Sequence, residues 1–441
     1  MTAAEFERLT ALLSIPSVSA RPEHAADMLA AAGLCAEEIR RAGGQARVLP
    51  GAVHPLVVGE VPPSPGAGGP GAPRVLIYGH YDVQPAGPAA LWTSPPFTPT
   101  VRGEHLYARG ACDDKGCLFM LIAAVQRLAA AGRLPVRAAF LIDGEEESGG
   151  SSAIDHLAAD AEGAHAAVIF DGPMVAPQSP AFYVGLRGLV YLRVRVRTGR
   201  ADAHSGLYGG AALNAAHALM TTLAAALAVE GRLPGALAQG VAPVAAAERE
   251  AWGLLPPGGQ ALADAGLRPA DPAAAAQFYP RTVAAPSLDV HGLACGDPEA
   301  VRTVIPAEAS ATLSLRLAPG QRVEAAGRAL EELLVAAAPA GAELDVEVLN
   351  GAEPALIDPG HPVLVRAAAA VEAAIGWRPL PVRIGGSIPI VAALAARGIP
   401  TILTGFYLPE DGMHSPDERI AVANLEVGTR AAMAILESLA Q

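Results

Sequence analysis

Three stretches of the chain, Arg74–Tyr78, Val136–Ile142 and Ala166–Phe170, are almost unbroken runs of apolar residues. Runs of this length predict central strands covered on both faces. Around them, apolar residues recur at helical spacing over Phe6–Leu13, Ala25–Arg41 and Gly116–Ala131. The last two stop close to glycines, a common helix terminator. Strands and helices that alternate in this way predict an α/β layer with a mostly parallel sheet.

From Gly185 the pattern changes. Leu192, Val194 and Val196 alternate with Arg193, Arg195 and Arg197, the mark of a strand with one face in water. Ala311, Leu313, Leu315 and Leu317 repeat the pattern, as do Leu344, Val346 and Val348. Helical stretches at Ala211–Glu230 and Val323–Ala337, with a strand at Ser287–His291, complete a strand-helix-strand-strand-helix-strand order. That is the order of an α+β split βαβ, or ferredoxin-like, unit. Beyond Pro354 the α/β style resumes, with helices near Pro362–Ala374 and Ile388–Ala396 and a strand at Thr401–Thr404. The expected domains are therefore 1–184 and 355–441, two parts of one α/β domain, interrupted by a smaller domain at 185–354. Residues 231–283 are rich in Ala, Gly and Pro and show no clear period.

Composition narrows the classes. A chain of 441 residues exceeds one ordinary core. With 51% hydrophobic and 17% charged residues it belongs with folded proteins. A net charge of −13 argues against nucleic acid as a partner. The most apolar segment, Cys117–Val125, is too short to span a membrane, and Met1–Arg8 lacks the features of a secretory signal. Four cysteines are too few for a disulfide framework at this size, so free thiols in the cytoplasm are expected. Metal chemistry would then rest on nitrogen and oxygen donors.

Such donors gather at predicted strand ends, where open α/β sheets hold ligands. His80 and Asp82 close the first apolar run. Asp143 and Glu145, Glu146 and Glu147 close the second, and Asp171 closes the third. His414 follows the late strand Thr401–Thr404, while Asp113 and Asp114 precede a helix. Taken singly, each has a bland reading: a surface histidine, a solvated acidic turn, an N-cap. Their joint placement at consecutive strand ends points to a metal site. Spacing does not choose between Asp113 and Asp114, or among the three glutamates. Lys115, the only lysine in the chain, sits inside this motif and is expected to support it structurally.

The motifs His80-x-Asp82, Gly110-x-x-Asp113-Asp114-Lys115-Gly116, Glu146-Glu147-Ser148-Gly149, Asp171 and His414-Ser415 resemble those of the aminoacylase/carnosinase family of dinuclear metallopeptidases. The likeness is strongest to its cytosolic nonspecific dipeptidase (carnosine dipeptidase-like) branch. It extends through Leu13–Ser19, Gly185–Gly188, His204–Gly210, Thr303–Pro306 and Gly385–Pro389. The resemblance implies a catalytic domain interrupted by a lid and dimerisation domain. It implies two divalent ions per subunit, Zn2+ first and Mn2+ second, with Asp113 bridging them. His80 and Asp171 would complete one shell and Glu147 and His414 the other. Glu146 would be the general base, and Asp82 would orient His80. A cis peptide between Asp113 and Asp114 is implied as well.

By the same resemblance, Arg316 and Ser387 would bind a peptide's C-terminal carboxylate. His204, supplied by a partner subunit with Thr303 nearby, would stabilise the oxyanion, which implies a homodimer. His291 and His361 resemble family positions, whereas His24, His54, His105, His156, His165 and His217 match none. The expected function is hydrolysis of short peptides, above all dipeptides. Aspartate at position 171 favours that over the alternative, deacylation of N-acyl amino acids in the manner of acetylornithine deacetylase or succinyl-diaminopimelate desuccinylase. A silent scaffold of the same fold is the reading from another class; the complete set of implied ligands and base speaks against it.

Overall fold

A computed structural model describes residues 1–69, 71–297, 299–300 and 302–440. The chain divides into two compact units. One comprises Met1–Val184, Ile357–Val382 and Ala393–Gln441; the other comprises Gly185–Leu356 and Arg383–Ala392.

The first unit is built on a six-stranded sheet. Its order is Gln45–Leu49, Leu56–Val61, Arg137–Asp143, Arg74–His80, Ala166–Phe170, Thr401–Thr404. The last four run parallel, as their unbroken apolar sequences require, and Val75–His80, Ala138–Asp143 and Ala166–Phe170 are buried throughout. The first two strands form an antiparallel edge hairpin that the sequence pattern does not reveal. Gln45–Leu49 is short, carries an arginine and is mostly exposed, so it lacks the apolar run of its neighbours. Helices Ala3–Leu13, Ala25–Arg41, Lys115–Ala130, Pro362–Ile375 and Val422–Ser438 complete this unit's main framework. Every residue from Lys115 to Val125 is buried, which explains its all-round apolar character. No helix among the described residues is long and apolar enough to cross a membrane.

Arg127 straps three of these helices together. Its guanidinium lies 2.8 Å from the carboxylates of both Glu5 and Glu426. These contacts push both acids down from 4.5 to about 2. A depressed carboxyl stabilises the folded chain above its unfolded pKa and loses that effect as pH falls through the folded value. The stability gap between the parent and Arg127→Met should therefore be full at pH 6 and shrink from about pH 4.5 towards 2. Thermal melts across that range test the strap; a gap independent of pH would exclude it.

The second unit holds an antiparallel sheet in the order Ser287–Ala294, Glu308–Leu317, Gly188–Arg197, Glu343–Ala352. In chain order this is 2-3-1-4, a split βαβ arrangement. Val190, Leu192, Val194, Leu313, Leu315 and Leu317 face helices Ala215–Ala224 and Val323–Ala337 across one core. The first of these helices starts later than the sequence suggests, because the Asn214 side chain caps Ala216 and His217. Residues 231–283 form short helices, among them Ala246–Trp252 and Gly258–Asp264.

Most of 355–441 clusters with the first unit, whereas residues 355–356 and 383–392 cluster with the second. Side chains of 383–392 explain this, since buried Arg383 pairs with Glu248 and Ser387 bonds to Arg187 and Arg316.

Candidate metal centre

Parallel strands of the first unit end at one edge, and that edge collects the chemistry. His80 is the last residue of its strand and stands in register with Asp143, the last of its neighbour. Asp171 directly follows Ala166–Phe170, and the segment carrying His414 follows Thr401–Thr404. Asp113 and Asp114, joined by a cis peptide, precede the helix Lys115–Ala130.

The adjacent aspartates diverge. Asp114 Oδ2 accepts from the His80 backbone N–H at 3.0 Å, so this carboxylate braces the strand end. Asp113 instead offers one oxygen to each of two imidazoles. Its Oδ1 lies 3.1 Å from His80 Nε2 and its Oδ2 2.8 Å from His414 Nε2. Donor atoms of His80, Asp113 and Asp171 all lie within 4.8 Å of one another, and so do those of Asp113, Glu147 and His414. Asp113 is thus common to both triads.

The three glutamates also separate. Glu145 is fully buried and accepts from the backbone N–H groups of Val53 and His54, at 2.7 and 2.8 Å. Glu147 receives Gln84 Nε2 at 2.8 Å on one oxygen, while the other faces His414 Nε2 at 3.2 Å. Glu146 lies between them at the start of a 3-10 turn, Glu146–Ser148. With three residues per turn, consecutive side chains fan out in different directions. Asp82 is wholly buried behind His80. Its backbone oxygen and Oδ1 lie 3.1 and 3.3 Å from His80 Nδ1, and its Oδ2 accepts from the Glu147 backbone N–H at 3.0 Å. A proton held on Nδ1 leaves the Nε2 lone pair free to bind an ion.

Crowding sets the charge states. Burial, then the neighbouring Asp113 charge, pushes Asp171 up to about 7. Burial raises Glu146 well above the ordinary range, with Asp171 and Glu147 adding to the shift. Burial would also raise Asp113, but hydrogen bonds from His414 and His80 outweigh it and hold this acid low. The Asp113 and Glu147 carboxylates bring His414 up to about 10. Asp82 Oδ1, Asp114 Oδ1 and Glu147 Oε1 are buried acceptors without a hydrogen bond. An excess of carboxylates over imidazoles, with orphaned acceptors among them, is a donor set fitted to divalent cations.

The substrate-side candidates all belong to the second unit. Arg316 Nη1 donates to Ser387 Oγ at 3.3 Å, and Ser387 in turn donates to the Arg187 carbonyl. Burial first, and then the Arg316 charge, pulls Arg187 down to about 10. His204 is exposed and pairs in a short ladder with Val304, beside Thr303. Its Nδ1 accepts from Gly206 N–H at 3.0 Å, which places the ring proton on Nε2.

Other motif residues have structural work. Lys115 is fully buried and donates to the carbonyls of Leu12 and Ile15, at 3.1 and 2.7 Å. It thereby ties the Leu13–Ser19 motif to the Asp113 loop. His54 bonds the Ser19 carbonyl, and His361 caps the helix Pro362–Ile375. His291 stacks on Tyr191 and bonds Ser314. Two groups around the centre escaped the sequence reading: Gln84, in the run from His80 to Pro85, and Glu418, four residues after His414. Their spacing from a histidine was the only signal, and an acid in a turn ordinarily reads as solvated.

Residues 76–438 match the profile described as Peptidase family M20/M25/M40. The cysteinylglycine-S-conjugate dipeptidase of Corynebacterium striatum is 30% identical over 96% of this chain and 92% of its own length. The Cys-Gly metallodipeptidase dug1 of Schizosaccharomyces pombe is 29% identical over 96% of this chain and 93% of its own. Among solved structures, the di-peptidase Dug1p of Saccharomyces cerevisiae superposes with a TM-score of 0.78 at 25% identity. That match covers 99% of this chain and 96% of Dug1p.

Proposed function

This chain belongs to peptidase family M20/M25/M40, and on that footing we propose that it is a metal-dependent dipeptidase. The observation that carries the reading is the placement of Asp113, whose two oxygens each face an imidazole, with Asp171 in one triad and Glu147 in the other. Relatives matched over nearly their whole length are dipeptidases by name, which supports the substrate class.

His80, Asp113 and Asp171 would hold one divalent ion; Asp113, Glu147 and His414 would hold the second. The mixture of imidazole and carboxylate favours Zn2+, with Mn2+ the alternative where oxygen donors dominate. When bound there, such ions would supply a water whose pKa is lowered from about 15.7 towards ~7 and a polarised scissile carbonyl. Glu146, its carboxyl raised by burial, is poised to take a proton from that water and deliver it to the leaving amine. Asp82 keeps the His80 ring in register, its backbone oxygen accepting from Nδ1.

Arg316 and Ser387 are assigned the peptide's C-terminal carboxylate, for which a guanidinium fork is well shaped. No ion pair engages Arg316 among the described residues; Ser387 is its hydrogen-bond partner. His204, with a proton on Nε2, suits the developing oxyanion, and Thr303 sits beside it. Leu207 and Tyr208 next to His204 are 76% and 54% exposed, an apolar surface that a second copy of the chain would cover. A homodimer through the inserted unit, acting as lid and dimerisation domain, is part of this reading. So is a cytoplasmic setting, in keeping with four unpaired cysteines.

The test is a panel of dipeptides and N-acyl amino acids assayed with Zn2+ or Mn2+. Dipeptides should turn over, chelation should stop hydrolysis and added metal should restore it. Turnover of N-acyl amino acids alone would replace this reading with a deacylase.

A further inference from the structure

The two triads are built differently. His80 ends one strand of the sheet and Asp171 follows the end of another, so a hydrogen-bonded ladder fixes both. Glu147 and His414 have no such support. Glu147 stands in a single 3-10 turn, and His414 lies in an irregular segment at φ 61°, in the left-handed region that favours glycine.

A buried ion pair bridges what the sheet does not reach. Arg109 and Glu418 are 1% and 0% exposed, with Arg109 Nη1 2.6 Å from Glu418 Oε2. The Glu418 carboxylate also accepts from three backbone N–H groups leading to the bridging aspartate: Gly110 at 3.0 Å, Cys112 at 2.9 Å and Asp113 at 3.2 Å. Four residues earlier in the chain is His414. On the other side, Arg109 Nη2 donates to the Pro85 carbonyl at 3.3 Å. Pro85 follows Gln84, whose amide donates 2.8 Å to Glu147 Oε2. The pair thus joins the segments that carry Asp113, His414 and the partner of Glu147.

We infer that Gln84, anchored by the Arg109–Glu418 pair through Pro85, is a positioning residue for the Asp113–Glu147–His414 ion, and that it makes this ion separable from the ion at His80 and Asp171. None of them belongs to either triad, and each acts through the residues it holds. The inference rests on the two-ion reading above.

Calorimetric titration of metal-stripped protein with Zn2+ alone tests it. The parent should take two ions per chain. Glu418→Asp keeps the charge but is one methylene too short to serve Arg109 and the loop together. Gln84→Ala leaves the buried pair intact and isolates the contact with Glu147. In Gln84→Ala one ion should bind as in the parent and the other about 10–100-fold more weakly, the usual scale for residues that orient ligands, whereas Glu418→Asp, which also loosens the Asp113 loop shared by both triads, should weaken both. Activity lost at limiting Zn2+ should return when Zn2+ is raised. Equal weakening of both ions in Gln84→Ala, or no weakening of either, overturns the inference. A parent that fails to take two ions overturns the metal reading instead.

Discussion

Glu146→Ala should bind both ions as the parent does and yet hydrolyse dipeptides about 10²–10⁴-fold more slowly. That range is the contribution of a positioned general acid–base group. The expectation separates two neighbours in sequence. Glu147 contributes a donor to a triad and is held by Gln84, whereas Glu146 belongs to neither triad. Burial leaves Glu146 well above its ordinary pKa, so it is a better proton acceptor than a solvated glutamate. Single-turnover rates at saturating metal, together with bound-metal counts, make the measurement. Near-normal turnover would remove Glu146 from the reaction; loss of an ion would recast it as a ligand.

Asp113→Ala should have the larger effect, because it acts on both triads at once. Removing this carboxylate deletes the group that faces both imidazoles. Bound metal should fall from two ions to none. Hydrolysis should drop by at least ~10⁴-fold, since water activation and carbonyl polarisation are lost together. The metal-free variant offers an independent readout. His414, held at about 10 chiefly by Asp113, should move towards its ordinary 6.5 when followed by NMR titration. One tightly retained ion in Asp113→Ala would deny the bridging assignment.

The parts of this centre differ in how plainly the sequence shows them. His80 and Asp171 are legible because an apolar run that breaks into a polar donor marks a strand end. The edge strand Gln45–Leu49 is not legible, since a short, half-solvated strand carries little apolar signal. Asp113 and Asp114 look alike in one dimension. They part company because one faces two imidazoles and the other turns back to the His80 amide. Glu145 reads as another metal-site acid until its backbone partners, Val53 and His54, come into view. Glu418 is the extreme case, with partners that lie 305–309 positions away in the chain.

The sequence alone determined the alternation of strands and helices, the inserted antiparallel unit and the family motifs, because periodicity and short-range spacing are local properties. Only the tertiary structure decided which of several equivalent acids faces an imidazole, which is consumed in bracing backbone, and that residues 383–392 cluster with the second unit. Burial and hydrogen-bond geometry make those choices, and both arise from segments that meet in space after long separation in the chain.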